Sequence, residues 1–191
     1  MARTRLVFSG SGGQGIITAA IILAEAAVLH EDLIAVQTQA YGAAARGGST
    51  RADVIVSESK INFPVVVQPN ILICLTQEAY THFSGIIRPG GLLITDPRFV
   101  KIERKVDAIQ RELPMYAAVT EKIGNPVVFN ICMLGALIGL SRLVRPESVF
   151  AVLQSRVPKA LLDINRLALN LGLEMTADSG HSAAKTQGNR V

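Results

Sequence analysis

Apolar and polar positions along this chain of 191 residues fall into blocks whose period changes from one to the next. Residues 3–8 end in Leu6-Val7-Phe8, an apolar run that predicts a first strand. Residues 16–29 hold Ala19, Ala20, Ala24, Ala26 and Ala27 among Ile and Leu, which favours a helix whose small side chains pack closely on a sheet. Glu25 is its one charged residue, so that helix is expected to be buried nearly all round. Residues 33–39 and 51–57 predict two more strands, and Ser59-Lys60-Ile61-Asn62-Phe63-Pro64 is expected to turn the latter back as a short hairpin. The continuous apolar run Ile71 to Leu75 is the mark of a fully buried strand. Thr76-Gln77-Glu78-Ala79 opens a helix to about Ser84, Pro89-Gly90-Gly91 makes a turn, and Leu92 to Thr95 is another buried strand. The charged residues 98–112 are assigned to the surface, and Tyr116 to Val119 to a last strand.

The second half reads as helical. Asn125 is placed to cap a helix with Pro126 at its first position. That helix, Pro126 to Leu140, is apolar all round, and Gly135 and Gly139 would admit a neighbouring backbone, so a core helix and a subunit-interface helix both fit. Pro146 starts a helix over 147–156, and Pro158 starts another to about Leu171, with Leu161, Leu162, Ile164, Leu167, Ala168 and Leu171 near helical spacing. Residues 176–191 are polar, small and aperiodic, the pattern of a disordered tail. Alternating strands and helices predict a doubly wound α/β sheet.

Composition narrows the partners. Hydrophobic residues make up 49% of the chain and charged ones only 18%, which suggests surface buried against other chains and self-association when the chain is isolated. Aromatics are 5% with no Trp, which argues against a base-stacking platform for nucleic acid. The net charge of +4 comes from scattered residues and reads mainly as a solvated surface. Cys74 and Cys132 lie far apart in apolar runs, as core residues of a reduced, cytoplasmic protein. Two thiols fall short of the about four that hold an iron–sulfur cluster, and His30, His82 and His181 have no zinc-type spacing. The N-terminus has no signal-peptide pattern, and the longest apolar stretches, 16–29 and 126–140, are shorter than a membrane span.

Two segments carry candidate chemistry. Between the first strand and the first helix, Gly10, Gly12 and Gly15 match G-x-G-x-x-G literally, with Gly13 and Gln14 between them. Such a loop exposes backbone N–H groups beside the positive end of a helix and suits a phosphate or carboxylate. A dinucleotide site also needs an acidic residue at the end of the next strand, and Gln37-Thr38-Gln39 supplies none. A P-loop needs Gly-Lys-Ser/Thr, also absent, and a tight turn with no ligand stays open. The second segment runs from Gln39 to Thr50 and contains Tyr41, Gly42, Arg46, Gly47 and Gly48. It reads either as a loop with a helical turn at Ala43 to Ala45, or as a ligand-facing loop in which Arg46 offers its guanidinium fork to an anion.

Four blocks taken in order point to a family: Gly10-Ser11-Gly12-Gly13-Gln14-Gly15; Tyr41-Gly42 with Arg46-Gly47-Gly48; Leu75-Thr76-Gln77-Glu78-Ala79-Tyr80; and Gly124-Asn125-Pro126 with Asn130 and Leu134-Gly135-Ala136. From about Arg3 to Met175 the chain resembles the gamma subunit of the 2-oxoacid:ferredoxin oxidoreductases, most of all the 2-oxoglutarate type. The resemblance implies a three-layer α/β/α domain over 1–175 with a mostly parallel sheet and a helical C-terminal part. It implies an enzyme complex that converts a 2-oxoacid and coenzyme A to acyl-CoA and passes electrons to ferredoxin. Thiamine diphosphate and the [4Fe-4S] clusters then belong to alpha, beta and, where there is one, delta partner subunits, while this chain helps close the site and contacts coenzyme A. The residues carried over are Gly10, Gly12, Gly13, Gln14 and Gly15 in the first motif and Tyr41, Gly42, Arg46, Gly47 and Gly48 in the second, with no catalytic residue and no metal ligand. One departure stands out: Ala43-Ala44 replaces the family's usual Pro-Glu. A stand-alone nucleotide- or small-molecule-binding module and a scaffold subunit without ligand contact remain the alternatives.

Overall fold

The chain runs β1 (Thr4–Ser11), α1 (Ile16–His30), β2 (Ile34–Tyr41), β3 (Ser49–Ser57), β4 (Ile71–Cys74), α2 (Gln77–Phe83), β5 (Gly91–Thr95), β6 (Ala108–Glu112), α3 (Met115–Lys122), α4 (Phe129–Ser141), α5 (Pro146–Arg156) and α6 (Lys159–Ala177). The structure, a computed structural model, describes residues 3–41 and 49–177. The strands form one mixed sheet in the order β2-β3-β1-β4-β5-β6. β1, β4, β5 and β6 pair in parallel, while β3 lies antiparallel to both β1 and β2. Among the described strands, therefore, β3 alone runs against the other five.

Both faces of the sheet are covered, and the strand alternation sorts side chains between them. Leu6 and Phe8 of β1, with Ile71 and Ile73 of β4, face a large core built with α1, α3, α4, α5 and α6. Val7, Leu72, Cys74 and Leu93 face a smaller core closed by Ala79 and Tyr80 of α2 and by Val66 and Val100 from irregular segments. The three-layer α/β/α fold is thus present but lopsided, with α2 as the one α-helix on the second face among the described residues.

α4 is buried within this chain over most of its length. Ten of its residues, Phe129 to Ile138, are buried. Its backbone meets that of α6 closely at glycines: a Cβ on Gly172 would overlap the Cys132 carbonyl and lie 2.6 Å from the Ala136 nitrogen. α1 is less enclosed than its composition predicts. Val28 is 46% and Leu29 64% exposed at its C-terminal end.

Four expectations change. The hairpin after β3 is absent, because β3 already pairs along both edges; residues 58–70 instead cross a sheet face and insert Val66 into the smaller core. The expected strand over Tyr116 to Val119 is helix α3, because the Asp96 carboxylate accepts the Tyr116 N–H at 2.8 Å and caps that turn from a distant part of the chain. β6 lies inside the segment assigned to charged surface; it is an edge strand, where polar residues are common. α6 continues to Ala177, so the first two residues of the expected tail are helical and Thr176 is buried; 178–191 lie outside the described residues. Elsewhere the start signals hold. Asn125 accepts the Val127 N–H at 3.1 Å and caps a short 3-10 turn that leads into α4, and Pro146 opens α5.

Candidate functional site

The C-terminal ends of β1, β4, β5 and β6 share one edge of the sheet, and the chain leaves β1 toward β2 on one side and meets β4 on the other. That divergence is where open α/β sheets form a crevice. The glycine loop sits there. Gly13 has φ 91° and Gly15 φ 70°, conformations that a side chain strains. Gly15 is the N-cap of α1, and no side chain caps that helix. Gly12 and Gly13 are exposed, and a Cβ on either would meet nothing within 4 Å, so the tip of the loop is open.

The base of the loop, in contrast, is tied down. The Ser11 N–H donates to Gln14 Oε1 at 2.8 Å, and Gln14 Nε2 donates to the Leu75 carbonyl at 2.9 Å. Gln14 thereby links the loop to the end of β4. Its amide also fills the space beside Gly10, where a Cβ would collide with Gln14 and Ile16. Asn130, near the start of α4, donates to the Gly15 carbonyl at 3.3 Å and occupies the position that a Gly15 side chain would need. Two helix N-termini, those of α1 and α4, are held together at this contact.

The second predicted segment reaches the same edge. Tyr41 ends β2 and pairs with Thr50, which also pairs with Gly10, while Ser49 pairs with Ser11. The described ends of the segment, Tyr41 and Ser49, therefore lie in two adjacent antiparallel strands, the second of them paired with the start of the glycine loop. Gly42, Arg46, Gly47 and Gly48 themselves lie outside the described residues.

Sequence reading missed Asp96. It is fully buried at the end of β5, and its carboxylate accepts the N–H groups of Arg98 at 2.9 Å and Tyr116 at 2.8 Å. Burial pushes its pKa above the ordinary carboxylate range, against the lowering effect of those bonds and of the Arg98 charge. Beside it, the rings of Phe99, Tyr116 and Phe129 pack together with centroids 5.3–5.7 Å apart, and the Arg98 guanidinium lies 4.5 Å from the Tyr116 ring centroid. An acidic residue directly after a buried parallel strand, in Thr95-Asp96-Pro97, was the available signal. The two thiols have no part here: burial pushes both Cys74 and Cys132 up to about 12, and they lie in different cores.

Comparison with known proteins completes the picture. The family described as "Pyruvate ferredoxin/flavodoxin oxidoreductase" matches residues 5–175. The chain belongs to that family. It is 40% identical over 178 residues to the 2-oxoglutarate synthase subunit KorC of Methanocaldococcus jannaschii, covering 92% of this chain and 95% of the relative. KorC of Methanothermobacter marburgensis is 35% identical, with 91% and 96% covered. Among solved structures, the gamma subunit of a keto/oxoacid ferredoxin oxidoreductase from Geobacter sulfurreducens superposes with a TM-score of 0.84 at 34% identity, covering 92% of this chain and 97% of that one. A 2-oxoglutarate:ferredoxin oxidoreductase from Magnetococcus marinus shares the fold, with a TM-score of 0.84 at 21% identity over 92% of this chain and 31% of its own longer one. Within the family match fall the glycine loop, Asp96 and Asn130, and both N-termini that meet at Gly15.

Proposed function

We propose that this chain is the gamma-type subunit of a 2-oxoacid:ferredoxin oxidoreductase of the 2-oxoglutarate type, and that it helps to close the active site and to bind coenzyme A. The observation that carries the reading is the glycine loop: an uncapped helix N-terminus with an open tip at Gly12 and Gly13, braced from below by Gln14 and Asn130, in the crevice at the end of the parallel strands. The structural relative from Magnetococcus marinus was solved with 2-oxoglutarate, coenzyme A and succinyl-CoA bound, and relatives at 35–40% identity are named as 2-oxoglutarate synthase subunits.

In this reading, the exposed backbone of Gly12 and Gly13 and the first turn of α1 receive an anionic group of coenzyme A, and Arg46 adds its guanidinium fork from the neighbouring segment. Gln14 and Asn130 hold the loop so that its N–H groups need not reorganise when the anion arrives. Decarboxylation and electron transfer to ferredoxin are supplied by thiamine diphosphate and [4Fe-4S] clusters held in the alpha, beta and any delta partner subunits. This chain's own thiols do not fit a cluster, being buried in separate cores. The fitting compartment is the cytoplasm, where ferredoxin and coenzyme A meet.

The test is steady-state kinetics on the complex co-expressed with its partner subunits, with viologen as electron acceptor. Gly13→Val and Arg46→Ala are each expected to raise KM for coenzyme A by about tenfold or more, as for a lost charge-assisted hydrogen bond, with KM for 2-oxoglutarate unchanged. Unchanged coenzyme A kinetics in both variants would overturn the assignment. A second reading, the loop as a purely structural turn, draws on the double engagement of the Gln14 amide. It is favoured if Gln14→Ala destabilises the chain while Gly13→Val leaves catalysis untouched.

A further inference from the structure

The two edges of the sheet are built differently. β6 is five residues long and carries Arg111 and Glu112, the kind of charge that keeps an edge from pairing with another chain. β2 is eight residues long, Ile-Ala-Val-Gln-Thr-Gln-Ala-Tyr, with no charge and no proline, and its register with β3 is unbroken from Ile34 to Tyr41. No described strand pairs with its outer side. Apolar groups crowd that edge: Ile34 is 42% exposed, and a groove on the α1 side is lined by Ile21, Ala24, Val28, Leu29, Ala35 and Gln37. Glu25, the charged residue of the groove, is bound by both arms of the Arg156 guanidinium, so the edge presents little net charge to a copy of itself.

We propose that β2 pairs antiparallel with β2 of a second copy of this chain, about a two-fold axis at Thr38, joining two sheets into one. Three observations point to a second copy and not to an unrelated strand. Around the axis at Thr38 the central residues match: Thr38 faces Thr38, and Gln37 faces Gln39 on either side of it. Self-pairing therefore sets hydroxyl against hydroxyl and amide against amide. The helix spacing also closes. Strands lie about 4.8 Å apart, and α1 packs over both β2 and β3. Its two-fold copy would therefore lie about 10 Å away, the distance at which helices pack. Finally, Ile21, Ala24 and Val28 recur every three or four residues along the open side of α1, the spacing of a helix–helix seam.

The experiment uses the full chain and sedimentation across a concentration series. Wild type is expected to dimerise. Thr38→Lys places two lysines opposite each other and should weaken the dimer by at least about 100-fold, with an unchanged circular dichroism spectrum and a melting temperature that no longer rises with protein concentration. Thr38→Glu should do the same, and an equimolar mixture of the two variants should restore a dimer. Because Cys74 and Cys132 are buried, Thr38→Cys introduces one accessible thiol on the axis, and mild oxidation should crosslink two chains, whereas Ala117→Cys on α3 should not. A wild-type chain that stays monomeric to about 100 µM, a dimer indifferent to Thr38→Lys, or a failed crosslink at Thr38→Cys each overturns the proposal. If wild type is monomeric and Thr38→Lys instead blocks assembly with the other subunits, the edge belongs to a partner chain and the second-copy reading fails, with the coenzyme A reading untouched.

Discussion

Replacing Gly15 by alanine tests whether the join between α1 and α4 is as tight as its geometry says. Two separate costs are expected. The φ of 70° at Gly15 is left-handed, which costs a residue with a Cβ about 1–2 kcal/mol. The new methyl would also lie 2.6 Å from Asn130 Nδ2 and 2.8 Å from Asn130 Cβ. Asn130 is only 8% exposed, so it has little free volume to retreat into. Moving it breaks the 3.3 Å hydrogen bond to the Gly15 carbonyl, worth about 1 kcal/mol. The sum is about 2–3 kcal/mol, or a fall in melting temperature of about 4–12 °C for a chain of this size. The assay is urea unfolding followed by circular dichroism, run as a double-mutant cycle with Asn130→Ala. In that background the Asn130 amide and its hydrogen bond are gone while its Cβ, 2.8 Å from the new methyl, remains, so Gly15→Ala should cost the backbone part and a smaller steric part. A coupling energy of about 1 kcal/mol is the expected result. A Gly15→Ala chain within 0.5 kcal/mol of wild type (about the spread of harmless surface changes), or costs that simply add, would refute the reasoning.

Other perturbations probe other parts of the molecule. Gly172→Ala should be the more damaging glycine change, about 3 kcal/mol or more, because backbone atoms of α4 and not a mobile side chain stand in the way; thermal unfolding reads it directly. Asp96→Ala should cost about 2 kcal/mol by leaving the Tyr116 and Arg98 N–H groups without their acceptor, with early loss of α3 protection in hydrogen exchange. Acid should weaken the fold through Glu25 and Glu31. Arg156 holds the Glu25 pKa below its ordinary 4.5, and bonds from Ser148 and Arg145 lower that of Glu31 against its burial. Their contribution is therefore full above pH about 4.5 and lost as pH falls through the lowered values. Asp96, with its pKa raised, contributes in the opposite sense, so Asp96→Asn should steepen the acid side of a stability–pH curve and Arg156→Met should flatten it.

Much of this fold was legible because its elements carry local signals. The strands Leu6-Val7-Phe8 and Ile71 to Cys74 announce themselves by continuous apolar runs, and Asn125, Pro126 and Pro146 mark helix starts with their own chemistry. What escaped depends on partners far away in sequence. Tyr116 to Val119 has the composition of a strand and becomes helix because Asp96, twenty residues earlier, accepts the Tyr116 N–H. Ala108 to Glu112 has no apolar alternation to betray it and is ordered by β5 alongside. The glycine loop was visible as a loop, but not its braces: nothing local says that Gln14 reaches Leu75 or that Asn130 reaches across 115 positions to Gly15. Long-range hydrogen bonds of one side chain leave no periodic trace.

The reversed strand β3 bears on how freely the glycine motif could change its ligand. In a dinucleotide-binding sheet the strand beside the glycine loop ends in the acid that grips the ribose. Here the neighbour of Gly10 is Thr50, at the beginning of an opposing strand, and the strand that follows α1 stands one place further out, with Tyr41 at its end. The missing carboxylate is thus a symptom of topology as well as of sequence. Writing an acid into β2, as in Gln39→Asp, should leave calorimetric titrations with NAD flat, because that strand end is about two strand spacings, some 10 Å, from the loop. A protein engineer could not convert this loop to a nicotinamide site by point substitution; the hairpin between α1 and β4 would have to be rebuilt.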